Sequence, residues 1–307
     1  MQKENVVYRI IKNIKKQHVL YLLSLPTFIY IIIFEYFPIY GLQIAFKDFI
    51  AREGFLGSPW VGFEHFERFF NSYNFTQILI NTLEISVYSL IFGFPLPILL
   101  ALMLNELKHK MFKNSVQMIT YAPHFISTVV LVGMLYVFAS PNSGLINNML
   151  QLFGIEPVSF LTDPSWFKPL YILSGIWQGI GWGSIIYMAA LSGIDPQLYD
   201  AAMMDGASRL KKIWHIDIPG ILPTIMILLI LNVGQIMSVG FEKIFLMQND
   251  LNIRSSDVIA TYVYRMGIQN GDYSFSTAVG LFNSVVNFIL LVIVNQAARR
   301  MGGQSLW

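Results

Sequence analysis

The chain has 307 residues, of which 55% are hydrophobic and only 12% charged, against roughly a quarter charged in an ordinary soluble domain. A net charge of +2, with no dense Lys/Arg block to offset its smallness, excludes a nucleic-acid partner held by electrostatics. Cysteine is absent, which excludes disulfides, thiolate metal sites and thiol nucleophiles.

A bilayer core of about 30 Å requires roughly 20 apolar residues in a helix. Six segments meet that need: about 19–40, 77–104, 115–139, 168–193, 219–244 and 274–297. The expected fold is therefore an all-α membrane protein with six transmembrane helices and no separate soluble domain. A tail at 1–18 precedes the membrane domain of 19–297, and a tail at 298–307 follows it. MQKENVVYRIIKNIKKQ is basic like a signal peptide, but no small-residue cleavage site follows the first apolar run, so that run is expected to be a retained span. Glu35 and Pro38 interrupt its outer end.

The connection 41–76 carries Trp60 and a Phe-rich stretch at 63–70, suited to an interfacial aromatic belt or a short surface helix. Glu84 opens the second span, and Pro123-His124 lies inside the third, where the histidine is a core group or marks a bend. Another long connection, 140–167, contains the turn SPNSG and Trp166. In the fourth span Gly175, Gly179 and Gly183 recur every fourth residue, a small-residue stripe that lets another helix approach. Trp177, Gln178 and Trp182 then point elsewhere and are candidates for the path of a sugar, since rings stack on C–H faces and amides bond hydroxyls.

Polar residues inside spans are costly and default to functional candidates. Asn232, Gln235 and Glu242 fall on one side of the expected fifth span, and Glu242 is expected to pair locally with Lys243. Asn283 and Asn287 align at i, i+4 in the sixth. The four amides line a solute path or join helices by hydrogen bonds. Thirteen Lys/Arg residues fall in the two tails and the loops after spans two and four, against seven on the other side. That asymmetry places both termini in the cytoplasm.

The loop 195–219 is the most patterned polar segment. Asp195-Pro196 is an N-cap followed by proline at the first helical position. QLYDAAMMD favours helix, Gly206 can take the left-handed conformation that ends one, and Ser208 can cap a second helix, RLKKIWHIDI, which Pro219 interrupts or bends. The expected product is two short helices fixed by a glycine corner, with an Ala-Ala-Met-Met face that inserts into a partner.

This loop resembles the EAA motif of permease subunits of binding-protein-dependent ABC importers, through Asp200, Ala201, Ala202, Gly206, Ile216 and Pro219, with Asp205 also at a familiar position. It departs in one respect: the leading acid is aspartate rather than glutamate, one methylene shorter. YGLQIAFKDF, GSPWVGFEHFERFF, GFEKIFLM, DVIATYVYRMGI and FSTAVGLFNSVVNFILLVIVNQAARR are similar to the carbohydrate-importing branch, oligosaccharide and polysaccharide-fragment permeases above all. The resemblance implies the type I importer permease fold in a plasma or inner membrane. It also implies a second homologous permease, two ATPase subunits that bind ATP and Mg and receive the loop, and an extracytoplasmic solute-binding protein that delivers a carbohydrate.

Other chemistry is missing from the sequence. No phosphate loop occurs, and MGGQSL near the end echoes an ATPase signature without one, so no cofactor is expected in this chain. The five histidines have no metal-ligand spacing, and Ser143 lies in a turn rather than a nucleophile elbow. The rival readings are a permease for another small polar solute such as an amino acid, a secondary transporter, and a membrane-embedded enzyme.

Overall fold

In lipid every backbone amide must find its partner within the chain, and helices do this locally. The computed structural model describes residues 16–300 and 305–306, and among them no strand forms beyond one antiparallel bridge between Lys47 and Trp60. Lys3, Arg9, Lys12, Lys15 and the MGGQ of MGGQSL lie outside the described residues.

Helix α1 (His18–Phe46) runs past the expected end at 40, and its most apolar stretch buries nothing within the chain. Glu35 and Pro38 do not stop it: Ile32–Tyr36 widens into a π turn, and Tyr40–Phe46 tightens into a 3-10 helix. Such a turn absorbs the carbonyl that a proline leaves without a donor. After the short surface helix α2 (Glu64–Phe70), α3 (Phe75–Asn105) solves the same problem with a π turn at Ser89–Gly93, just before Pro95 and Pro97.

The expected third span, 115–139, is not continuous. It is α4 (Lys110–Phe125) and α5 (Thr128–Phe138), bent by 100° at Ile126-Ser127. Pro123 denies a donor to the turn before it, and Ser127 caps the new helix by accepting from the Val130 N–H. A small helix, α6 (Leu145–Leu152), follows.

Helix α7 (Pro164–Ser192), capped by the Asp163 carboxylate on the Ser165 N–H at 2.9 Å, is the central post. At 29 residues it is long enough to cross, but its Gly, Ser, Gln and Trp content keeps it out of the four helices among the described residues that are both long and apolar enough: α1, α3, α9 and α12. The expected glycine stripe is only partly a packing face. A Cβ on Gly183 would lie 3.1 Å from Pro97 of α3, but one on Gly179 would meet nothing within 4 Å. The closest approach is at Gly181, outside the stripe, where a Cβ would lie 2.1 Å from the Thr120 carbonyl oxygen of α4.

Helix α8 (Pro196–Met204) precedes α9 (Arg209–Val233). RLKK is thus the foot of α9 and not a separate piece, because a π turn at Ile213–Asp217 carries the helix through Pro219. The expected fifth span, 219–244, ends early: α9 stops at Val233, and a non-helical link leads to α10 (Phe241–Met247). Gln235 and Glu242 are therefore not neighbours on one helix face. Helix α11 (Ile259–Tyr264) and α12 (Tyr273–Arg300) complete the fold.

Three apolar clusters join these helices. Phe69, Ile78, Tyr262 and Phe275 tie α2, α3, α11 and α12; Ile85, Val132, Phe167 and Met247 tie α3, α5, α7 and α10; Leu102, Tyr187, Leu191 and Ile221 tie α3, α7 and α9. Buried asparagines pin the long connections. Asn81 donates to the carbonyls of Arg254 and Asp257, and Asn252 to those of Leu161 and Met247. Asn147 exchanges hydrogen bonds with Val158 in both directions.

Candidate functional site

Two places gather the functional candidates. The first is the corner between α8 and α9. Asp195 caps α8 by accepting from the Gln197 N–H at 2.9 Å. At the other end Gly206 sits at φ +71°, where its N–H bonds the Met203 carbonyl and the Ala207 N–H bonds the Ala202 carbonyl. That pair of bonds is the Schellman stop, which needs a left-handed residue. Ser208 then caps the foot of α9 through the Lys211 N–H.

The corner is anchored to the bundle by one contact that sequence reasoning did not supply. The Tyr199 hydroxyl donates to Asp217 Oδ1 at 2.5 Å, and Asp217 is fully buried. Burial, then the neighbouring Asp217 hydrogen bond and charge, raise the Tyr199 pKa, so the phenol keeps the proton that it donates. A lone acidic residue where the basic foot of α9 passes into its apolar run was the visible signal. Outward, the corner exposes Leu198, Met203, Met204, Leu210 and Trp214. Asp200, Ala201, Asp205, Gly206 and Pro219 are exposed beside them, and Ala202 and Ile216 half-buried. A rigid apolar patch of this kind marks an interaction surface.

The second place is a pair of cavities along α7. One, of about 460 Å³, is bounded by the π turn of α3, by α7 and by the end of α9, and includes Ser89, Asn232, Gln235 and Ser238. The other, of about 350 Å³, shares Ser89 and Tyr171 with it and adds Gly175, Gln178, Gly179 and Lys243. The early stop of α9 shapes the first of them, because Gln235, Ile236, Ser238, Val239 and Gly240 leave the helix and join its wall.

The seven expected path residues thus separate. Asn232, Gln235 and Gln178 line the cavities. Gln178 also braces the bend between α4 and α5, donating to the Ile126 carbonyl at 2.8 Å. Trp182 stacks on His124 at 4.3 Å, and Trp177 is exposed; neither borders the two cavities. Asn287 holds the non-helical link, accepting from the Met237 N–H and donating to Ser238 Oγ, each at 2.9 Å. Asn283 keeps a buried Oδ1 without a partner. Glu84 forms an ion pair with Lys168. Glu242 does not pair with Lys243, whose ammonium turns inward to the Tyr171 carbonyl at 2.8 Å. Successive helix residues do not face each other, so that local pair had the wrong geometry.

Comparison with known proteins agrees with this architecture. The family described as "Binding-protein-dependent transport system inner membrane component" matches residues 93–303. Among curated relatives, the polygalacturonan/rhamnogalacturonan transport system permease protein YteP of Bacillus subtilis (strain 168) is 44% identical, over 97% of this chain and 93% of its own length. Protein LplB of the same organism is also 44% identical, over 96% and 92%. A solved bacterial ABC transporter involved in the import of the acidic polysaccharide alginate has a chain 46% identical, with a TM-score of 0.88 over 95% of this chain and 99% of that one. The bacterial alginate transporter in complex with alginate pentasaccharide-bound periplasmic protein gives 45% identity and a TM-score of 0.90, over 97% and 100%.

Proposed function

Because this chain belongs to the binding-protein-dependent transport system inner membrane components, we propose that it forms one half of the translocation path of an ATP-driven oligosaccharide importer. A second, homologous permease supplies the other half. Two ATPase subunits carry ATP and Mg and hydrolyse the nucleotide, and an extracytoplasmic binding protein delivers the sugar. The chain crosses the membrane six times with both termini in the cytoplasm. In that arrangement α7 is the fourth crossing, the bent pair α4 and α5 the third, and 1–18 and 298–307 the tails.

The observation that carries this reading is the corner at 195–219. It is a capped helix with a Schellman stop, tied to a buried carboxylate at the foot of α9 and presenting apolar side chains that nothing within the described residues covers. Asp200, Ala201, Ala202, Asp205, Gly206, Ile216 and Pro219 are the residues that would seat in an ATPase cleft. Closure of the ATPases would move α8, and the Tyr199–Asp217 bond would pass the motion to α9 and the cavity behind it, a two-state lever. Asn232, Gln235 and Gln178 would offer amides to sugar hydroxyls along the path.

Purified alone in detergent, the chain is expected to show no ATPase activity above a protein-free control. Reconstituted with the second permease, the ATPases and the binding protein, it is expected to support sugar uptake driven by ATP. Turnover by the isolated chain, or uptake that collapses with the proton gradient while ATP stays high, would contradict the assignment.

A further inference from the structure

Lys243 lies in the first turn of α10, yet its side chain turns toward α7. Its Nζ donates to the Tyr171 carbonyl at 2.8 Å and lies 4.6 Å from the centre of the Tyr171 ring. It rests over Gly175, where an added Cβ would come within 3.3 Å of the ammonium. Carbonyl, ring and bare glycine thus form a seat for one cation, and the seat opens on the cavity that holds Ser89 and Gln178.

No anion among the described residues shares the seat. Ion pairs among the described residues join Arg68 to Asp272, Lys168 to Glu84, Arg209 to Glu106 and Arg265 to Asp257. Neither cavity has an aspartate or glutamate in its walls. Glu242, the nearest acid in sequence, is exposed and lies on another face of its helix. One of three ammonium donors is used by protein, and two remain for the cavity. A charge withdrawn from water and left without a counter-charge is costly, and in a membrane protein it marks a solute or ion path.

We propose that Lys243 is a carboxylate-binding residue of the solute path, which selects saccharides built of uronate units over neutral ones. This rests on the saccharide-import reading above. A single ammonium balances the single negative charge of a carboxylate; a phosphate monoester carries nearly two, and the cavity walls hold neither an arginine nor a second lysine to balance the other. A lysine is also a point charge on a flexible stem, so it selects by charge without a fixed fork geometry and can release a moving chain. Gln178 complements it. One of its two amide N–H donors goes to the Ile126 carbonyl, which fixes the amide and leaves Oε1 as an acceptor available for a sugar hydroxyl next to the carboxylate.

The test uses the full importer in vesicles with its binding protein, and two probes: trigalacturonate and its fully methyl-esterified, neutral counterpart. Lys243→Met is expected to lower the ratio of acidic to neutral uptake by about tenfold or more, the scale of one lost charge contact. Lys243→Arg is expected to keep most of the acidic uptake, and both variants should co-purify with their partner subunits. Acidic uptake undiminished in the methionine variant overturns the inference. So does an equal fall for both sugars, or a loss that arginine does not rescue, since a packing role would give those results. Wild-type vesicles that take up the neutral trimer but not the acidic one overturn this inference alone. Accumulation of neither sugar overturns the saccharide reading as well.

Discussion

The corner at 195–219 and the cavities along α7 are built by opposite means. The corner is local: caps at Asp195 and Ser208, a left-handed Gly206 and helix-starting Pro196 all lie within a few residues of the groups they satisfy. The cavities are assembled from α3, α7, the 234–240 link and α10, segments that lie far apart in the chain. A local device fails when one backbone angle is wrong. A distributed one should lose function by degrees, as individual contacts are removed. Each substitution below tests that contrast.

The largest effect is expected at Gly206. A Cβ there has open space around it, so the cost of Gly206→Val comes from the left-handed backbone alone, about 1–2 kcal/mol or more. The Schellman stop should open and α8 should swing out of register with its ATPase. Co-purification of the ATPase subunits, or the coupling of their hydrolysis to uptake, is expected to be lost while the helices still insert. Asp200→Ala should give a milder form, because one contact goes and the corner stays. Full assembly and uptake in the valine variant would show that the corner is not the transmission element.

A graded loss is expected on the other side of the comparison. Asn232→Leu and Gln235→Leu each remove an amide from the wall of the larger cavity without touching the corner. Asn232 donates only to the Leu228 carbonyl of its own helix, so its loss leaves no distant group unsatisfied. Uptake should fall several-fold in either single variant and further in the double, at about the 1 kcal/mol scale of one hydrogen bond. ATPase assembly, read by co-purification, should not change. Wild-type uptake by the double variant would remove both residues from the path.

This contrast also sets what the sequence could disclose. Caps, prolines and glycine stops act over three or four residues, so the corner was legible from Asp195 to Ser208 with no knowledge of the fold. The breaks at Ile126 and Val233 were half legible. Pro123 followed by Ser127, and the glycines at 234 and 240, are stop signals inside runs whose hydropathy alone suggested unbroken spans. Lys243 was misread because adjacency to Glu242 suggested a pair, whereas its partner is a carbonyl 72 residues earlier. The Tyr199–Asp217 bond spans 18 residues and a turn, a reach beyond helical periodicity.

That bond joins the two regions, and its removal should produce a smaller, mixed effect. Tyr199→Phe leaves the buried Asp217 with neither oxygen bonded, since Oδ2 has no partner already, at a cost of about 1–3 kcal/mol. The expected sign is partial uncoupling: more ATP hydrolysed per sugar imported, with assembly retained. Asp217→Asn keeps an acceptor for the hydroxyl and should be milder. Equal hydrolysis-to-uptake ratios in Tyr199→Phe and the native protein would mean that α8 and α9 move together through their turn alone.

The smallest effect, of opposite sign, is expected at Gly179. A helix-packing stripe through Gly175, Gly179 and Gly183 predicts that a side chain at its centre wedges two helices apart. The geometry places no atom within 4 Å of a Cβ at Gly179, because that part of α7 borders a cavity. Alanine there should instead stabilise the helix by about 0.5–1 kcal/mol, the ordinary gain over glycine in a helix interior. Gly181→Ala provides the contrast, since its Cβ would lie 2.1 Å from the Thr120 carbonyl oxygen, and backbone cannot yield as a side-chain end can. Thermal unfolding in detergent should therefore shift slightly upward for Gly179→Ala and clearly downward for Gly181→Ala. A lowered midpoint for Gly179→Ala would restore the stripe as a packing face and fill the space that the solute path requires.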